Sequence, residues 1–195
     1  MHFISGELAA PNQLLSRFGP DFTVQSVFAQ SPAMAALNST SVNTLRIFTL
    51  RNAEGIVEHV GSMVRSGSPG RRRDNLSGSD AGYGYPIDYD TGVVGRRAIT
   101  YKPFPAAVPG TASDGGDGAP LVLDFSTALD LAITLSDRFP YSDFLGWDFV
   151  FDAGGSPRVL EVNINWPGYK LLNFVYGSDF TPTQTAYLKR LAAKS

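Results

Sequence analysis

The strongest constraint on what this chain can fold into lies between residues 146 and 163. Gly146-Trp147-Asp148-Phe149-Val150-Phe151 and Arg158-Val159-Leu160-Glu161-Val162-Asn163 both alternate as strands do. Between them, Asp152-Ala153-Gly154-Gly155-Ser156-Pro157 is made of turn residues. With Gly154-Gly155 at the centre of a tight hairpin, Asp148 falls directly opposite Glu161, and Gly146 opposite Asn163. Cross-strand partners share a face of the sheet. Trp147, Phe149 and Phe151, with Leu160 and Val162, then supply the other face and the core.

The polar face of this hairpin carries two carboxylates, one carboxamide and the open space over Gly146. Like charges directly opposite repel. A divalent cation between them reverses that penalty, and hard oxygen ligands of this kind suit magnesium. A solvated hairpin bearing Asp and Glu for solubility is the other reading of the same residues. A bulge or a longer loop would shift the register.

The chain has 195 residues, 43% of them hydrophobic, which is enough for one domain with a sizeable core. A net charge of −2 gives no bulk attraction to nucleic acid or to an anionic membrane. No apolar run is long enough to span a bilayer, and the first residues lack the pattern of a signal peptide. Cysteine is absent, which removes disulfides and thiolate chemistry and fits a cytoplasmic setting. The only histidines are His2 and His59, so a histidine zinc site or a Ser-His-Asp triad has little support. His59 lies in an alternating stretch and reads as a surface strand residue. No lysine precedes Lys102.

Along the chain, residues 11–18 read as a short helix with Leu14, Leu15 and Phe18 on one side. Residues 21–28 alternate as a strand, and 32–37 form an alanine-rich helical turn. Thr44 to Arg51 is a strand, Asn52-Ala53-Glu54-Gly55 a turn, and Ile56 to Arg65 the returning strand. Residues 66–79 form a polar loop. A short strand falls within 82–89, and a further strand covers 93–99. Residues 103–120 are a Pro/Gly/Asp-rich loop. Asp124 or Ser126 caps a helix running to about Arg138, with Ala128, Leu129, Leu131, Ala132 and Leu135 as its apolar side. A last helix spans Pro182 to about Ala193. No internal repeat is evident. The order predicts an α+β fold with a mostly antiparallel sheet flanked by helices.

Gly146-Trp147-Asp148, Glu161-Val162-Asn163 and Pro167-Gly168 resemble the magnesium-binding end of ATP-grasp enzymes. Val24-Gln25-Ser26, Gln30-Ser31-Pro32, Ser41-Val42-Asn43-Thr44-Leu45-Arg46 and Asp74-Asn75-Leu76-Ser77 stand upstream in the family's order. Together they are most similar to the sugar-transfer-associated ATP-grasp proteins. They are more loosely similar to the ligases that add glutamate to a ribosomal protein and to D-alanine–D-alanine ligases. The resemblance implies an ATP site between two lobes and a ligase that joins a carboxylate to an amine or similar nucleophile through an acyl-phosphate. By that resemblance Asp148, Glu161 and Asn163 hold one or two Mg²⁺ ions on the ATP phosphates. Arg46 faces the phosphates or the carboxylate substrate, and Arg65, Arg73 and Asn75 contact phosphate or acyl-phosphate oxygens. Gln25 sits in the hinge strand that reads adenine. Arginine suits such work because its planar fork binds oxyanions in pairs. Each also has a simpler reading. Arg46 can pair with Glu58 across a hairpin, Arg71-Arg72-Arg73 can be a solvated run, and Asn75 can serve a turn.

Members of the family carry a small lobe before the hinge strand, with a lysine that grips the phosphates. The expected organisation here is residues 1–28 as a remnant of the small lobe and hinge strand, and 29–195 as the large lobe. Three readings follow: the large lobe of a ligase that is truncated in this sequence, a shortened homologue that binds nucleotide or metal without catalysis, or an unrelated α+β domain. The ligase reading calls for a small-molecule carboxylate and an amine or sugar-linked acceptor. An uncovered lobe interface makes self-association an expectation.

Overall fold

The computed structural model describes residues 11–21, 28–68, 70, 74, 82–95, 120–164, 168, 172, 175–176, 185–186, 188–189 and 192. Its elements are α1 (Pro11–Phe18), α2 (Pro32–Ala35), β1 (Thr44–Arg51), β2 (Val57–Ser66), β3 (Tyr83–Tyr85), α3 (Phe125–Ser136), β4 (Phe144–Phe151) and β5 (Pro157–Asn163). The strands form one five-stranded sheet in the order β3-β2-β1-β4-β5, with every neighbouring pair antiparallel. The α+β expectation holds at this level. The expected strand at 21–28 and the loop at 66–79 fall mostly outside the described residues, as does nearly all of the loop at 103–120, and Ser66, expected in the loop, ends β2. Of the expected strand at 93–99, Val93 and Val94 make isolated bridges to Val122 and Ile87, and 96–99 lie outside. The described residues of the expected last helix, 185–186, 188–189 and 192, are helical.

The two covered faces of the sheet follow from strand alternation. Leu45, Ile47, Val64, Tyr85, Leu145, Trp147, Phe149 and Phe151 pack under Phe125, Ala128 and Ala132 of α3 and Met34 of α2. Asp124 caps α3, its Oδ1 accepting from the Thr127 amide at 3.2 Å. The helix ends at Ser136 and not Arg138, and it buries Phe125, Ala128, Ala132 and Ser136. That stripe leaves Leu131 to the side, 36% exposed, so its assignment to the core side is corrected. A buried polar chain ties the layers together. The Trp147 Nε1 donates to Thr49 Oγ1 at 3.1 Å, Thr49 and Ser136 share a 3.0 Å hydroxyl contact, and Ser136 Oγ donates to the Ala132 carbonyl at 2.7 Å. Within this polar chain the indole N–H and both hydroxyls are partnered.

On the opposite face, Phe48, Leu50, Val60 and Met63 form a second apolar cluster with Leu172, joined by Phe144 and Val175. Among the described residues this cluster occupies one end of that face, and the other end is polar.

His59 corrects a second expectation. It is not an open surface residue. Its ring meets Tyr89 edge-on at 4.6 Å and Phe125 at 5.6 Å, and its Nε2 lies 2.8 Å from Ser62 Oγ. Burial lowers its pKa to about 4, against a smaller raising effect of its hydrogen bond to the Gly61 backbone.

Candidate functional site

The polar end of the second face is assembled by two hairpins whose inner strands, β1 and β4, lie side by side. Register places Thr44 opposite Arg65, Arg46 opposite Asp148, and Asp148 opposite Glu161. Four strands therefore contribute to one polar row.

The predicted Asp148–Glu161 and Gly146–Asn163 pairs are present, but the hairpin differs from the expected tight one. Phe151 pairs with Pro157, which leaves a loop from Asp152 to Ser156, and Phe149 pairs with Val159. The register then shifts between Asp148 and Phe149, and the extra residue is Leu160. The longer loop and the bulge offset one another, so the carboxylates still meet. Leu160 does not join the core as expected. The bulge leaves it 53% exposed on an edge strand. Val162 is partly buried against the main core.

Asp148 is only 1% exposed, and two guanidinium groups hold it. Arg46 forms a fork, its Nε on Oδ1 and its Nη2 on Oδ2, the latter at 2.7 Å. Arg65 Nη2 lies 3.0 Å from Asp148 Oδ1. Arg65 is anchored in turn by the Thr44 hydroxyl, which accepts from its Nε at 3.0 Å and its Nη2 at 2.9 Å. The Thr44 hydroxyl itself donates to Asp74 Oδ2, which lies 3.3 Å from Arg65 Nη2. Burial pushes the Asp148 carboxyl up, but Arg65 and Arg46 together outweigh it and hold the pKa below the usual carboxylate range. Glu161 is exposed, and the Asn163 Nδ2 donates to its Oε1 at 3.1 Å. The same Nδ2 donates to the Gly146 carbonyl at 3.3 Å.

Of the residues singled out from the sequence, Arg46, Arg65, Asp148, Glu161 and Asn163 come together here. Gln25, Arg73 and Asn75 lie outside the described residues. Arg46 does not pair with Glu58. It stands opposite Met63, while Glu58 stands opposite Leu50 and accepts from Asn52 Nδ2 at 2.6 Å. Thr44 and Asp74 are site residues that the sequence reading left without a role. Thr44 was accessible in principle, being two residues before Arg46 on the same strand face. Asp74 is brought in by a segment with no periodic signal.

The neighbouring motif residues have structural duties. Gln30, Asn38, Ser41 and Asn43 form a neutral network at the head of β1. Asn43 Nδ2 donates to the carbonyls of Met34 at 2.7 Å and Asn38 at 2.8 Å, and Gln30 Nε2 donates to the Ser41 carbonyl at 2.7 Å. This network sets the start of β1, and so the placement of Thr44 and Arg46.

Among the described residues no group of three or more His, Cys, Asp or Glu side chains converges. The candidate ligand set is instead two carboxylates paired across neighbouring strands and a carboxamide beside them. It consists of hard oxygen donors and fits a magnesium-type cation. No helix of the described residues is long and apolar enough to cross a membrane.

Comparison with known families finds a match to the sugar-transfer associated ATP-grasp domain over residues 14–187. No curated protein matches, and no solved structure matches. The family match spans most of the chain and includes every site residue described above. The chain belongs to the sugar-transfer associated ATP-grasp family, whose type implies ATP-dependent ligase activity in general and typically the use of ATP and Mg²⁺.

Proposed function

We propose that this chain supplies the phosphate-and-metal side of an ATP-dependent carboxylate ligase. Residues 29–195 are read as the large lobe, and 1–28 as small-lobe and hinge-strand sequence with Gln25 toward adenine. The observation that carries the reading is the polar row itself. Paired carboxylates, Asp148 and Glu161, stand next to two arginines on one sheet face. Phosphoryl transfer asks a protein chiefly for positioning and charge stabilisation, which is what such a row offers.

In this reading Asp148, Glu161 and Asn163 would hold Mg²⁺, which when bound neutralises charge on the transferring phosphoryl group. Arg46 and Arg65 bind phosphate or carboxylate oxyanions, and Arg73 and Asn75 are assigned to the same task. Thr44 and Asp74 orient Arg65. A substrate carboxylate oxygen attacks the γ-phosphorus and ADP leaves. An amine or sugar-linked nucleophile then attacks the acyl carbon, and phosphate leaves with the acyl C–O bond broken.

Hydroxylamine trapping tests this. With ATP, Mg²⁺, a mixture of small carboxylates and hydroxylamine as nucleophile, the chain should form hydroxamate and ADP in equal amounts. Glu161→Gln should abolish both. ADP formation without hydroxamate for any carboxylate contradicts acyl-phosphate chemistry.

One observation favours a second reading, a nucleotide-binding module without turnover. Both oxygens of Asp148 are engaged by guanidinium groups. Mg²⁺-ATP binding with no ADP formed under any of those conditions would select it.

A further inference from the structure

Within the proposed Mg²⁺-ATP site, we propose that Arg46 and Arg65 act as an internal stand-in for the cation. They hold Asp148 when no nucleotide is present, and they are drawn off by phosphate before metal can bind. The site thus takes nucleotide and metal with positive coupling and binds the metal alone weakly.

Charge and geometry carry this. Among the described residues, the guanidinium charges of Arg46 and Arg65 face Asp148 and Asp74, which leaves Glu161 as the surplus negative charge of the row. A lone divalent cation therefore meets little net attraction. It must also separate Asp148 from a fork of two parallel bonds, the strongest geometry for such a pair. A polyphosphate meets the opposite situation. It offers Arg46 and Arg65 new oxyanion partners with the same bidentate match. Once an arginine turns to phosphate, Asp148 and Glu161 stand side by side without enough countercharge. Like charges directly opposite on neighbouring strands repel, and a cation relieves that.

Arg65 is the better placed of the two to move. Thr44 and Asp74 give it partners besides Asp148, so it can release Oδ1 and stay partnered. Linkage requires that the coupling run both ways: metal must also tighten nucleotide.

The test uses the full chain and metal-free ATP in EDTA, measured by titration calorimetry. Asp148→Asn should bind metal-free ATP about tenfold more tightly than wild type. That figure follows if the released state is populated at about a tenth or less, since apparent affinity is discounted by that fraction. Glu161→Gln, which removes a charge from the same row without freeing an arginine, should gain clearly less than Asp148→Asn. Equal gains in both variants would mean simple charge relief, and no gain in Asp148→Asn would mean no competition; either overturns the proposal.

A second measurement covers the case in which Asp148→Asn does not fold. Mn²⁺ alone, followed by electron paramagnetic resonance, should bind Arg65→Gln about tenfold more tightly than wild type on the same argument. Unchanged Mn²⁺ affinity contradicts the stand-in role. If wild type binds Mg²⁺-ATP but the variants show neither gain, the exchange alone fails. If wild type binds ATP neither with Mg²⁺ nor without it, the underlying functional reading fails as well.

Discussion

The β1–β2 and β4–β5 hairpins are built alike and used oppositely. In each, an Asx side chain at the loop start accepts two backbone amides: Asn52 Oδ1 from Glu54 and Ile56, Asp152 Oδ1 from Gly154 and Ser156. In each, a glycine with positive φ, Gly55 at 84° or Gly155 at 83°, completes the turn. Each then carries one bulge, at Val60 in the first and Leu160 in the second. The pair next to the bulge is Phe48–Gly61 in the first hairpin and Asp148–Glu161 in the second. At the first, Leu172 lies over Gly61 so closely that an added Cβ would run into it. At the second, the same position carries paired carboxylates. The backbone offers the same bulge-flanking place twice, and side-chain choice makes one of them core and the other chemistry.

Substitutions at equivalent places should therefore give unequal results. Asp148→Ala has the largest expected effect. It leaves Arg46 and Arg65 facing each other without their shared carboxylate, and breaking a buried pair this way costs about 3–5 kcal/mol. Urea unfolding measures it; a loss below 1 kcal/mol would mean that the arginines find other partners readily.

Acid should separate the hairpins next. The native pKa of His59 lies below its unfolded value of 6.5, at about 4. The unfolded chain therefore binds the extra proton first. Stability is full above pH 6.5 and falls as pH drops toward 4, by about 3 kcal/mol on the linkage relation. His59→Gln should flatten that window. The carboxyl of Asp148 is held below its usual range, so its contribution stays intact through this window and is lost only in stronger acid, as pH falls through its native pKa. Unfolding free energies from neutral pH down to 3 check both windows.

The bulge residues give a smaller contrast. Val60 is 4% exposed and Leu160 is 53% exposed. Val60→Ala should cost about 1.5–3 kcal/mol of stability, and Leu160→Ala no more than about 0.5 kcal/mol. Equal costs would show that Leu160 is buried in solution, as a partner on the β5 edge would bury it.

Much of this was legible in the sequence where the signal is local. The β1 strand, its Asn52–Gly55 turn, the α2 turn and the Asp124 cap all rest on alternation or on turn and cap chemistry. The Asp148–Glu161 pair was also legible, but through two errors that offset: a loop longer than expected and an unseen bulge. The same bulge misplaced Leu160, because inserting one residue reverses the facing of everything up to the next register match. The partner of Arg46 was not legible. Asp148 is 102 residues away, and which strands lie side by side is decided by packing of the whole sheet. Asp74 was missed for the same reason, since a loop carboxylate gives no periodicity to read.

The central claim is that the Asp148–Glu161 row binds Mg²⁺ with nucleotide phosphate. Glu161 allows the cleanest test. It is exposed, so Glu161→Gln should change intrinsic stability by no more than about 0.5 kcal/mol. At Mg²⁺-ATP near one hundred times its Kd, ligand binding should stabilise wild type by about 2.7 kcal/mol. The direct measurement is the melting temperature of both proteins with and without Mg²⁺-ATP. The account predicts a clear rise for wild type and a much smaller one for Glu161→Gln. A rise of equal size in both, or none in wild type at millimolar Mg²⁺-ATP, would contradict it.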